Sequence, residues 1–360
     1  MPGGNSTLLF GFYNPINGHR SRVDEGHPDP PGPASAGDPV AEDFREVEVR
    51  LPDPAPGQVL VRNVLMSVDP YMRVRMAKLP TYPAWEIGDA LDGSAIGVIV
   101  SSAGPALSPG TVVSHRYGWR DHALISSDKL RVLPSSPGIP LTAHLDVLGM
   151  TGLTAYVGLR HIAGLRAGET VYISGAAGAV GTAAGQIARI LGAARVTGSA
   201  GSAEKIAYLT GELGYDAAFD YHTEDLSSAL GAVAPGGFDV YFDNVGGDHL
   251  EAALNVISPH GRIAVCGASS AYGALDDAKG PGNLIYVLTK RLRMEGFTVR
   301  EHLAHYEGFV AEAAKWMREG RLLSRVTVIE GLSHAVEAFQ LMLKGGHRGK
   351  MLVRLSDDPA

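Results

Sequence analysis

The residues best placed to do chemistry form a glycine-rich turn, Val171-Tyr172-Ile173-Ser174-Gly175-Ala176-Ala177-Gly178-Ala179-Val180-Gly181. An apolar strand-like run leads into it and a helix-like run follows, the setting that gives a glycine fingerprint meaning. Gly178 would let the backbone approach a pyrophosphate, and Gly181 would let the helix pack closely on the sheet. The helix N-terminus, with Ala179, Val180 and Thr182, would offer N–H groups and a positive dipole end to phosphate oxygens. Glycine also serves ordinary tight turns, so a purely structural turn stands as the alternative. The strand before it, the helix after it and the repetition of that pattern favour dinucleotide binding.

The end of the next strand bears on which dinucleotide. Folds that bind NAD usually carry an Asp or Glu about 20 residues beyond the fingerprint, accepting from the ribose hydroxyls. Here the stretch Thr197-Gly198-Ser199-Ala200-Gly201-Ser202 is small and neutral. Glu204 falls in the first turn of the following helix, where it complements the dipole. Lys205 beside it can offer its charge to a 2′-phosphate. Absent carboxylate and present lysine favour NADPH.

A single cysteine, Cys266, excludes an intrachain disulfide and any metal site that needs two thiolates. Among 13 histidines, His302 and His305 come closest to a ligand pair. Two histidines three apart on a surface helix are the reading preferred over a metal.

The elements that must position these residues change character along the chain. From Asn14 to Pro39 the sequence is rich in Pro, Gly, Asp and His and reads as a loop or extended arm. Short strands follow at Arg45–Val49, Gln58–Val64, Ala95–Val100, Thr111–His115 and His122–Ile125, separated by turn formers, as in a mainly β domain. Near Leu148 the pattern becomes one of alternating strands and helices. It runs as helix Gly152–Leu165, strand Thr170–Ser174, helix Gly181–Leu191, strand Arg195–Gly198 and helix Ala203–Leu213. Strand Ala217–Asp220, helix Asp225–Ala232, strand Val240–Asn244, helix Gly247–Val256 and strand Ile263–Cys266 continue it. That spacing predicts α/β architecture with a parallel, doubly wound sheet. Helix Tyr306–Arg318, strand Leu323–Ile329, a further helix and strand Met351–Arg354 close the chain.

At 360 residues, 45% hydrophobic and 19% charged, the chain suits two domains with large cores. A net charge of −7 without a basic stripe argues against nucleic acid. The sequence has no apolar run long enough for a membrane helix and no signal-like start, which points to a cytoplasmic enzyme.

Beyond the glycine turn, several motifs are similar to the medium-chain dehydrogenase/reductase superfamily. They resemble its zinc-independent branch of prostaglandin reductases, leukotriene B4 dehydrogenase and alkenal double-bond reductases. They are Ser67-Val68-Asp69-Pro70-Tyr71-Met72-Arg73, Gly149-Met150-Thr151-Gly152-Leu153-Thr154-Ala155-Tyr156, Gly198-Ser199-Ala200-Gly201-Ser202 and Tyr241-Phe242-Asp243-Asn244-Val245-Gly246-Gly247. The resemblance spans Phe44 to Leu355. It implies a mainly β GroES-like catalytic domain over 1–147 and 321–360, and a Rossmann NADPH-binding domain over 148–320.

By the same resemblance, Lys205 and Tyr221 would contact the 2′-phosphate, Ser199 would sit beside them, and Asn244 and Val245 would meet the nicotinamide side. Cys266, Gly267, Ala268 and Ser269, continuing to Tyr272, would line the nicotinamide pocket with Phe297, Thr298 and Val299. Cys266 would be a packed strand-end residue rather than a nucleophile. Zinc-dependent members place a cysteine ligand where this chain has Ser67-Val68-Asp69, and a Gly-His-Glu motif where it has Asp92-Gly93-Ser94. No metal is therefore expected.

The implied reaction is hydride delivery from NADPH to an activated carbon–carbon double bond in an unsaturated carbonyl or polyene. Tyr272 would donate a hydrogen bond to the enolate oxygen, since a phenol stays protonated at neutral pH. Tyr71 is a second candidate catalytic residue, and Tyr71 and Tyr82 are candidate walls of the substrate pocket. Three features depart from the branch: Arg73-Val74-Arg75 adds bulk near the pocket, His347 replaces a late Asn expected at the cofactor, and the arm before Asp43 is long. They raise the expectation of a specialised substrate, including a reductive cyclisation in natural-product biosynthesis. A quinone reductase of the same fold and a non-enzymatic NADPH-binding protein remain alternatives. A homodimer is expected through a sheet edge at Leu292–Val299.

Overall fold

The computed structural model describes residues 6–12, 37–77, 82–104, 107–273 and 278–359. Residues 14–36 of the stretch read as an arm lie outside the described residues. The chain divides into two units, one of Met1–Pro137, Thr327–Gly346 and Met351–Ala360, the other of Gly138–Val326 and His347–Lys350.

In the first unit, β1 (Ser6–Phe12) pairs antiparallel with β2 (Phe44–Arg50), in register from Ser6–Arg50 to Phe12–Phe44. The sequence pattern did not predict β1. β3 (Gln58–Ser67) is buried along most of its length, and the short α1 (Tyr71–Met76) follows Pro70. Next come β4 (Ala95–Ser102), β5 (Val112–His115), β6 (His122–Ser126) and β7 (Arg131–Val132). Trp119 anchors this unit's core. It is fully buried and stacked on Phe44 at 6.1 Å, with Phe10, Trp85 and Phe339 edge-on around it. Aromatic pairs of this kind contribute about 1 kcal/mol each beyond area burial. They hold Trp119 at φ +59°, a left-handed conformation that few non-glycine residues adopt.

The second unit opens with α2 (Met150–Val157), which continues into a wide turn at Gly158–Ile162. A straight helix over Gly152–Leu165 was expected. Gly158 lies against Phe242 and Phe297, whose rings a Cβ would meet at 2.4 and 2.9 Å. Then follow β8 (Thr170–Ile173), α3 (Ala179–Ile190), β9 (Arg195–Ala200), α4 (Ala203–Gly211), β10 (Ala217–Asp220), α5 (Leu226–Val233) and β11 (Val240–Asp243). After these come α6 (Gly247–Val256), β12 (Arg262–Val265), α7 (Ile285–Thr289), β13 (Arg293–Gly296) and α8 (Tyr306–Arg318). The six strands are parallel in the order β10-β9-β8-β11-β12-β13. This is a doubly wound α/β sheet whose strand order reverses between β8 and β11. β13, within the expected edge segment, is the exposed edge strand.

The chain returns to the first unit through β14 (Val326–Glu330), α9 (Ala335–Leu343) and β15 (Lys350–Arg354). They complete a seven-stranded sheet ordered β14-β15-β3-β4-β5-β7, with β6 paired to β3. The unit boundary near 137 lies ten residues before the sequence-based boundary at 147, because Ala143, Val147 and Leu148 are buried in the second unit's core. Residues 347–350 also belong to that unit. Gly349 bridges Gly178 in parallel fashion and donates to Ala177 O at 2.9 Å, and Lys350 donates to Arg325 O.

Candidate dinucleotide site

The site is built where parallel strands end and helices begin. β8 runs into Gly175, held at φ +58°, where glycine is favoured. Gly178 caps α3, and Gly181 lies so close to the strand that a Cβ would stand 2.5 Å from Gly175 O and 2.6 Å from Ala176 Cα. Thr182 turns inward, its hydroxyl donating to Ala179 O at 2.9 Å and leaving the cradle to backbone N–H groups. Val180 is half-buried against the core.

Next to it, β11 ends in Asp243, fully buried. Its Oδ1 accepts from Tyr241 Oη (2.6 Å), Ser174 Oγ (3.1 Å), Val245 N (3.0 Å) and Gly246 N (2.8 Å). Hydrogen bonds to a carboxylate are the strong ones, so Asp243 fixes the loop carrying Asn244 and Val245. Asn244 donates its side-chain amide to Ser174 O at 2.8 Å and its backbone N–H to Ser174 Oγ at 3.0 Å. The sequence reading quoted Asp243 and Ser174 within motifs without assigning them this work.

Beyond β12, Cys266 and Gly267 donate to Asp243 O, Ser269 to Asn244 O, and Ser270 to Val245 O, tying the two loops together. Burial and the nearby Asp243 charge push the Cys266 thiol up to about 12, so it stays a thiol and is no nucleophile. Tyr272 folds back over this loop: its Oη accepts from Ala268 N at 3.4 Å and lies 3.2 Å from where a Gly267 Cβ would be. Past β13, Phe297 packs edge-on to Phe242 and His302, Thr298 is exposed and Val299 is half-buried.

At the other flank, β9 ends in small neutral residues. Ser202 caps α4, accepting from Lys205 N at 3.3 Å. Lys205 is half-buried, and that burial lowers its pKa despite Glu204. Glu204 sits in the first turn of α4 and pairs with Arg348 at 3.3 Å. Ser199, a further cofactor candidate, stands near the end of β9. It is fully buried, with its hydroxyl 3.0 Å from Tyr172 Oη inside the sheet, because strand alternation turns it away from the rim. Tyr221, after β10, packs against His249 at 5.0 Å.

His347 lies in the returning segment. Burial first, then the charges of Lys205 and Lys350, hold its imidazole down to about 4, so it is neutral. Its Nδ1 has no hydrogen-bond partner among the described residues. Asp146, just before α2, is buried, accepting from Ser324 Oγ at 2.8 Å and Arg325 N at 3.2 Å. Burial pushes its carboxyl up to about 7 against that hydrogen bond and the Lys350 charge.

The candidate residues of the first unit form their own cluster. Tyr71 Oη accepts from Arg116 Nη2 at 3.3 Å, and burial and the Asp69 charge push its phenol up to about 12. Asp92 is engaged by Arg75 and by Trp85 Nε1 at 2.7 Å. Val74 points into the core, so the expected extra bulk of Arg73-Val74-Arg75 goes inward at that residue. Tyr82 is half-buried.

His302 and His305 lie on an irregular 3₁₀ segment, with His305 stacked on His161 at 4.0 Å. Among the described residues no group of three His, Cys, Asp or Glu side chains could hold a metal ion. The donors at Ser67-Val68-Asp69 and Asp92-Gly93-Ser94 do not suit zinc either. Ser67 Oγ donates to Asp69 Oδ2 and Asp92 is held by a guanidinium.

Residues 34–133 match a family model described as the N-terminal domain of oxidoreductase, and residues 179–316 one described as zinc-binding dehydrogenase. A putative NADP-dependent oxidoreductase, YfmJ, of Bacillus subtilis (strain 168) is 43% identical over 89% of this chain and 95% of its own length. An NADPH-dependent curcumin reductase of Escherichia coli (strain K12) is 38% identical over 89% of this chain and 94% of its own length, and rat prostaglandin reductase 1 is 40% identical over 88% and 95%. Among solved structures, CurA from Vibrio vulnificus in complex with NADPH aligns with a TM-score of 0.87 at 31% identity, covering 98% of this chain and 100% of that one. The chain is an oxidoreductase of the medium-chain dehydrogenase/reductase superfamily, in the branch that includes the prostaglandin and alkenal reductases.

Proposed function

We propose that the chain reduces activated carbon–carbon double bonds with NADPH. The observation that carries this reading is the placement of the cofactor-side candidates of the second unit. Apart from His347, they fall at or just beyond the C-terminal ends of the parallel strands, on both sides of the switch between β8 and β11, where open α/β sheets take ligands. The names of relatives 43%, 38% and 40% identical to it support the same cofactor and reaction class. When bound, NADPH supplies a hydride to the electron-poor β-carbon of an enone or enal. The N–H groups from Ala179 to Gly181 receive the pyrophosphate, and Lys205 with Tyr221 the 2′-phosphate. Asn244, Val245 and the loop Cys266–Ser269 hold the nicotinamide end, with Phe297 to Val299 and His347 completing the surround. Tyr272 donates a hydrogen bond to the enolate oxygen. Its contact with Ala268 N uses the phenol oxygen as acceptor and so does not consume its proton. Tyr71, kept protonated, and Tyr82 stand as candidate substrate contacts of the first unit.

The test is Tyr272→Phe. Losing one oxyanion donor lowers the turnover of an enone by about 10²–10³-fold, with NADPH affinity intact. Undiminished turnover removes Tyr272 from the chemistry, and turnover of quinones alone favours the quinone-reductase alternative. Cyclised products from polyenes would extend the reading to reductive ring closure; simple saturation across a panel would end that extension. The assembly we propose is a homodimer through β13, whose four residues are exposed beside Leu284, Ile285 and Leu288. Light scattering at the monomer mass would refute it.

A further inference from the structure

The end of β10 carries one more residue with a fixed geometry, His222. Its backbone N–H donates to Asp220 Oδ1 at 3.0 Å, and its Nδ1 lies 3.1 Å from Gly201 O. A carbonyl oxygen can only accept, so Nδ1 carries a proton and Nε2 is left as the variable atom. The ring stacks obliquely beside Tyr221 at 4.4 Å, and its side chain is largely exposed. Gly201 explains why both rings can stand there. A Cβ on Gly201 would lie 2.8 Å from His222 Cε1 and 2.8 Å from Tyr221 Oη. The missing side chain leaves a hollow at the end of β9, rimmed by a phenol oxygen and an imidazole edge. Ser202 and Lys205 follow directly on α4.

We infer that His222 is a third element of the 2′-phosphate pocket, pointing Nε2 at the phosphate and strengthening NADPH binding when that nitrogen is protonated. The inference rests on the NADPH reading of this rim and adds a pH-dependent contact to it. An imidazole is the side chain that changes charge between pH 5 and 8. The charged and titratable groups facing the ring are Asp220 at the end of β10, Tyr221 beside it and His249 on α6 across Tyr221, with Glu204 and Lys205 in the first turn of α4 after Gly201. Neutral His222 has an acceptor at Nε2 facing an anion; protonated His222 has a donor.

The experiment is a binding titration of the whole chain with NADPH and with NADH, by cofactor fluorescence, from about pH 6.5 to 8.5, where the phosphate stays largely dianionic. Wild type should bind NADPH roughly tenfold more tightly at the lower pH, with little change for NADH. His222→Gln should lose most of that pH dependence for NADPH only. An unchanged NADPH profile in His222→Gln overturns the inference, provided that Lys205→Ala still weakens NADPH far more than NADH. If Lys205→Ala weakens both alike, the 2′-phosphate assignment itself falls, and His222 falls with it.

Discussion

The two ends of the six-stranded sheet are made of the same strands and do different work. At the N-terminal end the polar groups satisfy one another. Glu169, before β8, takes both guanidinium nitrogens of Arg262 on β12. Asp239 accepts from Thr170 N at 2.9 Å, and Arg195 donates to Val233 O. A depression of about 380 Å³ lies here, lined by Thr170, Arg195, Asp239 and Ser258 among others. Its charged side chains are already paired, so it offers a ligand little. At the C-terminal end glycines, helix N-termini and the buried Asp243 shape the loops, and the candidate cofactor residues of this unit stand at or just beyond the strand ends. The first end is built from paired charges, the second from glycine turns and helix N-termini.

The largest effect that would break this contrast is at Gly181. Gly181→Ala places a Cβ against backbone atoms that cannot step aside. It should cost about 3 kcal/mol of stability and abolish NADPH binding. A denaturation midpoint like that of wild type would mean the turn is looser than described.

A middle-sized effect belongs to Asp146, which holds Ser324 and Arg325 by hydrogen bonds. Its carboxyl is raised to about 7 in the folded chain, so the fold binds a proton that the unfolded chain, near 3.9, has lost. Stability from this group is present at low pH and lost as pH rises through about 7. Between pH 5 and 7 wild type should lose about 2 kcal/mol that Asp146→Asn does not. Parallel melting profiles for the two proteins would contradict it.

The smallest effect sharpens the contrast from the other end. Glu169→Gln breaks the pair with Arg262 and should cost about 1–2 kcal/mol, with kcat and the KM for NADPH unchanged. A drop in kcat would show that the N-terminal end also takes part in turnover.

A glycine turn between a strand and a helix was legible in the sequence: Gly178 caps α3 and Gly181 packs against the turn as the fingerprint spacing implies. The full burial of Ser199 was not, because knowing that a residue ends a strand does not say which face it takes. His222 was passed over because its role depends on Gly201, 21 positions earlier, and only the β9–β10 pairing brings the two together. β1 escaped for a similar reason, since its partner β2 lies more than thirty residues away across sequence without periodicity. The short α1 and the wide turn after α2 likewise answer to tertiary packing more than to local pattern.

Hydride transfer to a carbon–carbon rather than a carbon–oxygen double bond is tested by incubating the chain with an enone and NADPH deuterated at its transferable position. A saturated ketone carrying deuterium on the former β-carbon is the expected product; deuterium on the carbonyl carbon of an alcohol, or none transferred, would overturn the proposed reaction.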